Sequence, residues 1–333
     1  MIESFGATRR ASGPPVAGRY VLVDRIGSGG MGTVWRAYDI RTQAWVAAKI
    51  LADHNSAMLL RFVREQGLRV RHPHVVAPTG WAADDNEVVF TMDLVRGGTV
   101  TDLLRDHGPL PMEYTAVLLD QLLQALAAVH AAGVIHRDVK PANLLLEVTG
   151  RGRPHLRLGD FGVAATQDSV RLTHAPGIVG TEGYLAPEQA HGAPPDPRQD
   201  LYAAGRLGIQ LLTGIAPVHQ QPGPDGLPDG PLAPLLAALI AEDPADRPPS
   251  AAAAQRLLLR LGADHQPGGF HPRPDGPEVP DRLGEVSIPL RHTLALPVAV
   301  RRRRTPSVGV LTALGCFTAA LALCGLALTR VLG

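Results

Sequence analysis

The stretch Val134-Ile135-His136-Arg137-Asp138-Val139-Lys140-Pro141-Ala142-Asn143-Leu144-Leu145-Leu146 sets a polar cluster between two apolar runs. Apolar runs rich in Val, Ile and Leu belong to a buried layer. The short connection between them is then held rigidly at a surface or cleft. Pro141 excludes a regular helix through the middle, because it has no N–H and fixes φ. What remains is a constrained loop presenting a carboxylate (Asp138), a cation (Lys140) and an amide (Asn143). That set suits handling a substrate proton, a negative charge and a metal ion. The alternative is a plain polar turn between two strands.

Of the 32 Lys+Arg residues only Lys49 and Lys140 are lysine. Arginine's planar fork and lysine's compact ammonium are not interchangeable near phosphate, so a chain otherwise charged with arginine keeps the point charge at two places. A net charge of +1 over 333 residues gives no reason to expect nucleic acid as a partner. Cys316 and Cys324 both fall in one apolar run near the C-terminus and form neither a disulfide framework nor a metal site. The rest of the chain, free of cysteine, fits a reducing compartment. No apolar h-region follows the N-terminal charges, and no secretory signal peptide is expected.

The elements that must position the loop are read in order. Met1 to about Gly18 is a loose polar tail. Arg19–Ile26 reads as a strand running into Gly27-Ser28-Gly29-Gly30-Met31-Gly32, and Thr33–Tyr38 alternates as a second strand. A dinucleotide-binding fingerprint requires a helix after the glycines and a Walker loop requires Gly-Lys-Ser/Thr; a β-branched, aromatic strand follows here instead. The pattern is a glycine-rich hairpin whose backbone amides could fold over phosphates. Ala44–Leu51 is a third strand carrying Lys49, a buried-looking ammonium that needs an anionic partner. The helical segment Met58–Val70 offers only Glu65. Val88–Val95 is a strand ending at Arg96-Gly97-Gly98, a break that could join two lobes. Helical patterns follow over Val100–Asp106 and Tyr114–Ala132, with Gly133 as a stop. Gly159-Asp160-Phe161-Gly162 presents a carboxylate between glycines at a strand end, close enough in character to serve a Mg²⁺–phosphate group. A helix is expected from Asp200 to about Leu212 and a last one near Ala251–Leu261.

Together these motifs resemble a eukaryotic-like (Hanks-type) serine/threonine protein kinase of bacterial type. They occur in the family's order: Gly27-x-Gly29-x-x-Gly32-x-Val34, Val46-Ala47-Ala48-Lys49, His136-Arg137-Asp138-x-Lys140-x-x-Asn143, Asp160-Phe161-Gly162 and Ala186-Pro187-Glu188. The resemblance covers roughly Tyr20–Leu261. It implies an α+β bilobal fold with a β-rich N-lobe (about 19–95) and a mostly helical C-lobe (about 99–262). It implies ATP with Mg²⁺ or Mn²⁺, and protein substrates with Ser/Thr hydroxyls. Lys49 would bind the α/β-phosphates and pair with Glu65. Asp138 would accept the substrate proton, Lys140 would steady the transferred group, and Asn143 and Asp160 would hold the metal. Nucleotide contacts would come from Ile26, Gly27, Gly29, Gly30, Gly32, Val34, Ala47, Met92, Asp93, Val95 and Leu145. Glu188 and Arg247 would pair to brace the C-lobe. Arg137 resembles the arginine of kinases switched by a phosphate on the following loop, with Thr166, Ser169 and Thr173 as candidate phosphosites. Lys140 and Thr181 look like Ser/Thr rather than Tyr specificity. The stretch from Glu65 to His72-Pro73 is shorter than is usual in this family. Arg69 stands where an apolar residue is expected, so an inactive resting position of that helix stays open.

Residues 263–307, rich in Pro, Gly and Arg, read as a juxtamembrane linker. Val308–Leu328 is uncharged and almost wholly apolar, the ~20 residues a membrane-spanning helix needs. Arg301–Arg304 before it, against Arg330 after it, orients the catalytic part to the cytoplasm. Thr329–Gly333 would lie outside, with no extracellular sensor domain. The lipid bilayer and a second copy of the chain are candidate partners. Two other readings compete with an active enzyme: a catalytically weak kinase-fold scaffold that binds nucleotide and partners, and a small-molecule phosphotransferase. The latter gives no reason for Ala186-Pro187-Glu188.

Overall fold

In the computed structural model the described strands of the large sheet all lie before residue 94 and the described α-helices all lie after residue 99. It describes residues 14–29, 32–51, 70–84, 87–160, 165–166, 183–219, 226–261 and 270–285. The upper lobe is a five-stranded antiparallel sheet of β1 (Tyr20–Gly29), β2 (Gly32–Asp39), β3 (Ala44–Leu51), β4 (Pro78–Asp84) and β5 (Glu87–Asp93), in the order β1-β2-β3-β5-β4. Its register sets Val34 opposite Lys49, Lys49 opposite Phe90, and Ala47 opposite both Arg36 and Met92. Opposed residues and those two apart share a face, so Val34, Arg36, Ala47, Lys49 and Met92 line one side. The other side carries the upper core of Tyr20, Leu22, Ala37, Ala48, Ile50 and Val89. Val16 bridges back to Tyr20 and joins that core, so the expected loose tail ends before residue 18.

The lower lobe is built around α2 (Met112–Ala131), which follows α1 (Val100–His107). Leu118, Leu119, Leu122, Leu123 and Leu126 are all buried, forming with Ala125 and Val129 a wide apolar face turned to the core. It packs against α4 (Pro197–Thr213) and α6 (Ala251–Arg260), with α5 (Ala233–Leu239) on α4. Local chemistry sets the ends. Thr99 and Asp102 form a reciprocal capping box on α1. Asp196 caps α4 ahead of Pro197, and Gly214 closes it in the left-handed conformation. Between the helices lie the short strands β6 (Val134–Ile135), β7 (Leu144–Leu146), β8 (Leu156–Leu158) and β9 (Ala165–Thr166), paired β6–β9 and β7–β8. The four-residue α3 (Pro187–Ala190) precedes α4.

Most expected elements occur within a few residues of their sequence bounds; β4 and α5 were not among them. The linker expected over 263–307 needs correction at 270–285. There Val279 is buried in the lower core and forms a bridge with Gly150, and the Phe270 ring meets Tyr114 edge-on at 6.0 Å. Among the described residues no helix is long and apolar enough to cross a membrane, and Val308–Leu328 lies outside them.

Candidate active site

The loop between β6 and β7 is shaped from below by a residue the motifs did not single out. Asp200, in the first turn of α4, is buried. It accepts the His136 N–H at 2.9 Å and the Arg137 N–H at 2.8 Å, with His130 Nε2 at 2.8 Å. Burial raises a carboxyl's pKa, but the His130 hydrogen bond, the two imidazoles and the Arg137 N–H outweigh it and hold Asp200 below the ordinary carboxylate range. These bonds hold Arg137 at φ 65°, in the left-handed region that side chains other than glycine avoid. Asp160, at φ 56°, is the other such residue in the site. Backbone strain of this kind persists only where the surroundings over-determine it.

His136 ties the two strained points together. Its Nδ1 accepts the Asp138 N–H at 3.3 Å, and its Nε2 donates to the Gly159 carbonyl at 3.0 Å. The Gly159 N–H in turn donates to the Asn143 carbonyl at 2.9 Å. The β7–β8 pair (Leu144 opposite Leu158) thereby brings Asp160 beside the loop.

Asp138 is gripped on its carboxylate. Asn143 Nδ2 donates to Asp138 Oδ2 and to the Asp138 carbonyl, both at 2.8 Å, and Lys140 Nζ lies 2.9 Å from the same Oδ2. Both Asn143 bonds use the amide nitrogen, which leaves its Oδ1 as the atom suited to a cation. Across the cleft, Lys49 Nζ from β3 meets Asp160 Oδ1 at 2.5 Å. Five of the residues expected to do chemistry thus fall into two coupled sets, Asp138–Lys140–Asn143 and Lys49–Asp160, joined through Gly159 and His136. Glu65, the partner expected for Lys49, lies outside the described residues, as do Gly30, Arg69, Ser169, Thr173 and Thr181. Thr166 is described only as backbone, paired with Val134 in β9.

The expected nucleotide contacts cluster above this. Gly32 has φ 141°, and a Cβ there would sit 2.1 Å from the Ile50 carbonyl oxygen, so no side chain is admitted at that end of the hairpin. Gly27 and Gly29 lie in β1 opposite Val34 and Gly32. Ile26, Val34 and Met92 are half-buried, while Ala47 and Val95 are buried. From the lower side Leu145 packs against Gly159, where an added Cβ would lie 3.3 Å from Leu145 Cδ1. The Asp93 side chain turns to Arg157 of β8, 2.7 Å away. Below the cleft, Arg247 meets Glu188 through two parallel bonds of 2.7 and 2.8 Å, and its guanidinium lies 5.0 Å from the Tyr202 ring centroid.

A metal ion would find oxygen donors of the right kind here. The Asp160 carboxylate and the Asn143 amide oxygen suit a hard divalent cation. Among the described residues no group of three or more His, Cys, Asp or Glu could hold a metal. An ion of the Mg²⁺ kind usually takes one or two carboxylates and completes its shell with phosphate and water.

Comparison with known proteins gives the same picture from another direction. The model of the protein kinase domain matches residues 20–227. The serine/threonine-protein kinase PkaA of Streptomyces coelicolor is 37% identical over 74% of this chain and 50% of its own. The serine/threonine-protein kinase PknL of Mycobacterium tuberculosis is 36% identical over 60% of this chain and 50% of its own. For PknA of the same species the figures are 30%, 89% and 74%. The chain spans about half the length of the first two relatives and about three quarters of the third.

Proposed function

The chain belongs to the protein kinase domain family, and from that premise we propose that it is a serine/threonine protein kinase transferring the γ-phosphoryl group of ATP to protein hydroxyls. One observation carries the reading. Lys49 of the upper sheet and Asp160 of the lower lobe meet at 2.5 Å, next to a loop that holds Asp138 between Asn143 and Lys140. Phosphate-binding charge, metal-binding carboxylate and proton acceptor thus converge from both lobes on one cleft.

In this reading a substrate serine or threonine hydroxyl donates its hydrogen bond to the Asp138 carboxylate, which accepts the proton as the new O–P bond forms and the bond from the γ-phosphorus to the β-phosphate oxygen breaks, ADP leaving with that electron pair. Asn143 and the backbone contact of His136 keep that carboxylate from turning away. Lys140 lies beside the transferring group and offsets its developing negative charge; Lys49 does so on the nucleotide side. Asn143 and Asp160 would hold Mg²⁺ or Mn²⁺, which neutralises phosphate charge when bound. Arg137 would clamp a phosphate on the stretch after Asp160-Phe161-Gly162, making the chain its own substrate at Thr166, Ser169 or Thr173, while Thr181 favours Ser/Thr acceptors. The domain bounds 19–262, the bilayer anchor Val308–Leu328, the cytoplasmic side and pairing with a second copy belong to the same proposal; the arginine run and apolar segment of the sequence support the anchor and its orientation.

The test incubates the full chain with γ-labelled ATP, Mg²⁺ and a generic protein substrate. Label is expected in Ser/Thr of the substrate and of the chain itself. Asp138→Asn is expected to lose roughly 10³-fold or more in transfer while still binding nucleotide. Nucleotide binding without transfer by the unaltered chain would return the scaffold reading.

A further inference from the structure

Residues 270–285 follow the last helix of the lower lobe, yet they touch three different parts of the molecule. At the lower end Val279 and Gly150 exchange two backbone bonds of 2.8 and 3.0 Å, and the Val279 side chain is buried. Glu278 adds an ion pair with Arg151 at 3.0 Å and a bond to His107 of α1. In the middle the chain runs along the connector between the lobes. The Arg282 N–H donates to the Arg96 carbonyl at 2.9 Å, Arg282 Nε reaches the Gly97 carbonyl at 3.3 Å, and the Arg282 guanidinium pairs with Asp106. At the upper end the Leu283 and Gly284 carbonyls both accept from Arg36 of β2, at 2.7 and 3.1 Å. Arg96 also donates to the Gly284 carbonyl, at 2.9 Å.

The segment is built for this position. Asp281 accepts the Leu283 and Gly284 N–H groups at 3.0 and 3.2 Å and pairs with Arg96 at 2.6 Å, folding the turn that aims both carbonyls at Arg36. Arg36 is itself buried and aligned by two bonds of 2.7 and 2.8 Å to Asp24. The connector is shaped to receive the segment. A Cβ on Gly97 would lie 2.6 Å from Val279 Cγ1, and one on Gly98 2.4 Å from Arg282 Cδ. Glycine at these two positions is thus explained by close approach as well as by the break in the chain.

We propose that residues 270–285 are a positioning brace for the nucleotide cleft: fixed to the lower lobe at Val279 and to the upper lobe at Arg36, they limit how far the lobes part. The brace rests on the kinase reading above. Arg36 lies on the sheet face that carries Ala47 and Lys49, and Arg96 directly follows Val95, one of the expected nucleotide contacts. From Val279 to Leu283 the chain advances four residues, at most roughly 14 Å when fully extended. A wide opening of the lobes must therefore break the charge-assisted bonds at Arg36. The brace acts on nucleotide capture and leaves the phosphoryl-transfer residues untouched.

The test uses full-length chain in steady-state kinetics, with a fluorescent ATP analogue for binding and thermal unfolding as the folding check. Asp281→Ala is expected to raise KM for ATP about fivefold, the scale of one or two lost charge-assisted contacts, with kcat within about twofold. Arg282→Asp and Asp106→Arg are each expected to raise KM, and the double exchange to bring it back. A KM unmoved by Asp281→Ala, or an exchange pair whose double variant shows no recovery, overturns the brace. If Asp281→Ala fails to fold, the exchange pair decides alone. A wild-type chain that takes up no nucleotide overturns the kinase reading itself, which separates the two failures.

Discussion

The two halves of the candidate site are held by opposite means. The Asp138 loop is fixed from beneath by Asp200, a buried carboxylate that takes two backbone N–H groups of the loop and a histidine of α2. On the cleft side, Lys49 and Asp160 hold one another across two lobes, with the lysine side chain 14% and the aspartate 48% exposed. The first arrangement has no substitute from solvent, because removing the carboxylate leaves buried donors without an acceptor. The second is a pair of opposite charges that a metal–phosphate group can enter, each charge exchanging one partner for another. One half is a fixed reference and the other is a contact that substrate can rewrite.

Three experiments bear on that contrast. The largest effect is expected at the fixed half. Asp200→Ala should cost on the order of 3 kcal/mol in stability and roughly 10²-fold in kcat through displacement of Asp138; denaturant melts and single-turnover transfer measure both. An intermediate effect is expected at the exchangeable half. Lys49→Arg keeps the charge but replaces the compact ammonium with a planar fork, so transfer should fall about tenfold to a hundredfold with the melting temperature nearly unchanged. A destabilisation matching that of Asp200→Ala would erase the distinction. The smallest effect is expected in acid. Asp200 is held below the usual carboxylate range, so its contribution is complete above the ordinary Asp pKa of about 3.9 and is lost as pH falls through its lower native value. Asp39 behaves alike: burial opposes its charge, but the Arg19 hydrogen bond, Thr42, the Arg41 N–H and the Arg19 charge bring it to about 2. Thermal midpoints should therefore drop below pH 4 in wild type. They should drop less steeply in Asp39→Asn, which leaves the site alone.

What the sequence made legible was chemistry that must be contiguous in the chain. The Asp138–Asn143 spacing, the glycine hairpin and the strand carrying Lys49 are local patterns, and each occupies the kind of element its residues imply. In the sequence Asp200 marks only the opening of a helix. Its role depends on a fold that brings it under a loop more than sixty residues earlier, and no local pattern encodes that distance. The segment 270–285 failed for a different reason. Pro, Gly and Arg signal a linker when their partners are unknown, and its partners are mostly backbone carbonyls and arginines of distant elements. The apolar residues Phe270 and Val279 are the signs in the sequence that the segment docks.

The two lysines have a consequence of a practical kind. They are the chain's only side-chain primary amines, and their side chains, 14% and 26% exposed, both line the same cleft. An acylating reagent that spares the N-terminal amine therefore has no surface lysine to consume it. Any stoichiometric loss of side-chain amine reports on the cleft, and protection by nucleotide reads out occupancy without mutation or label on the protein.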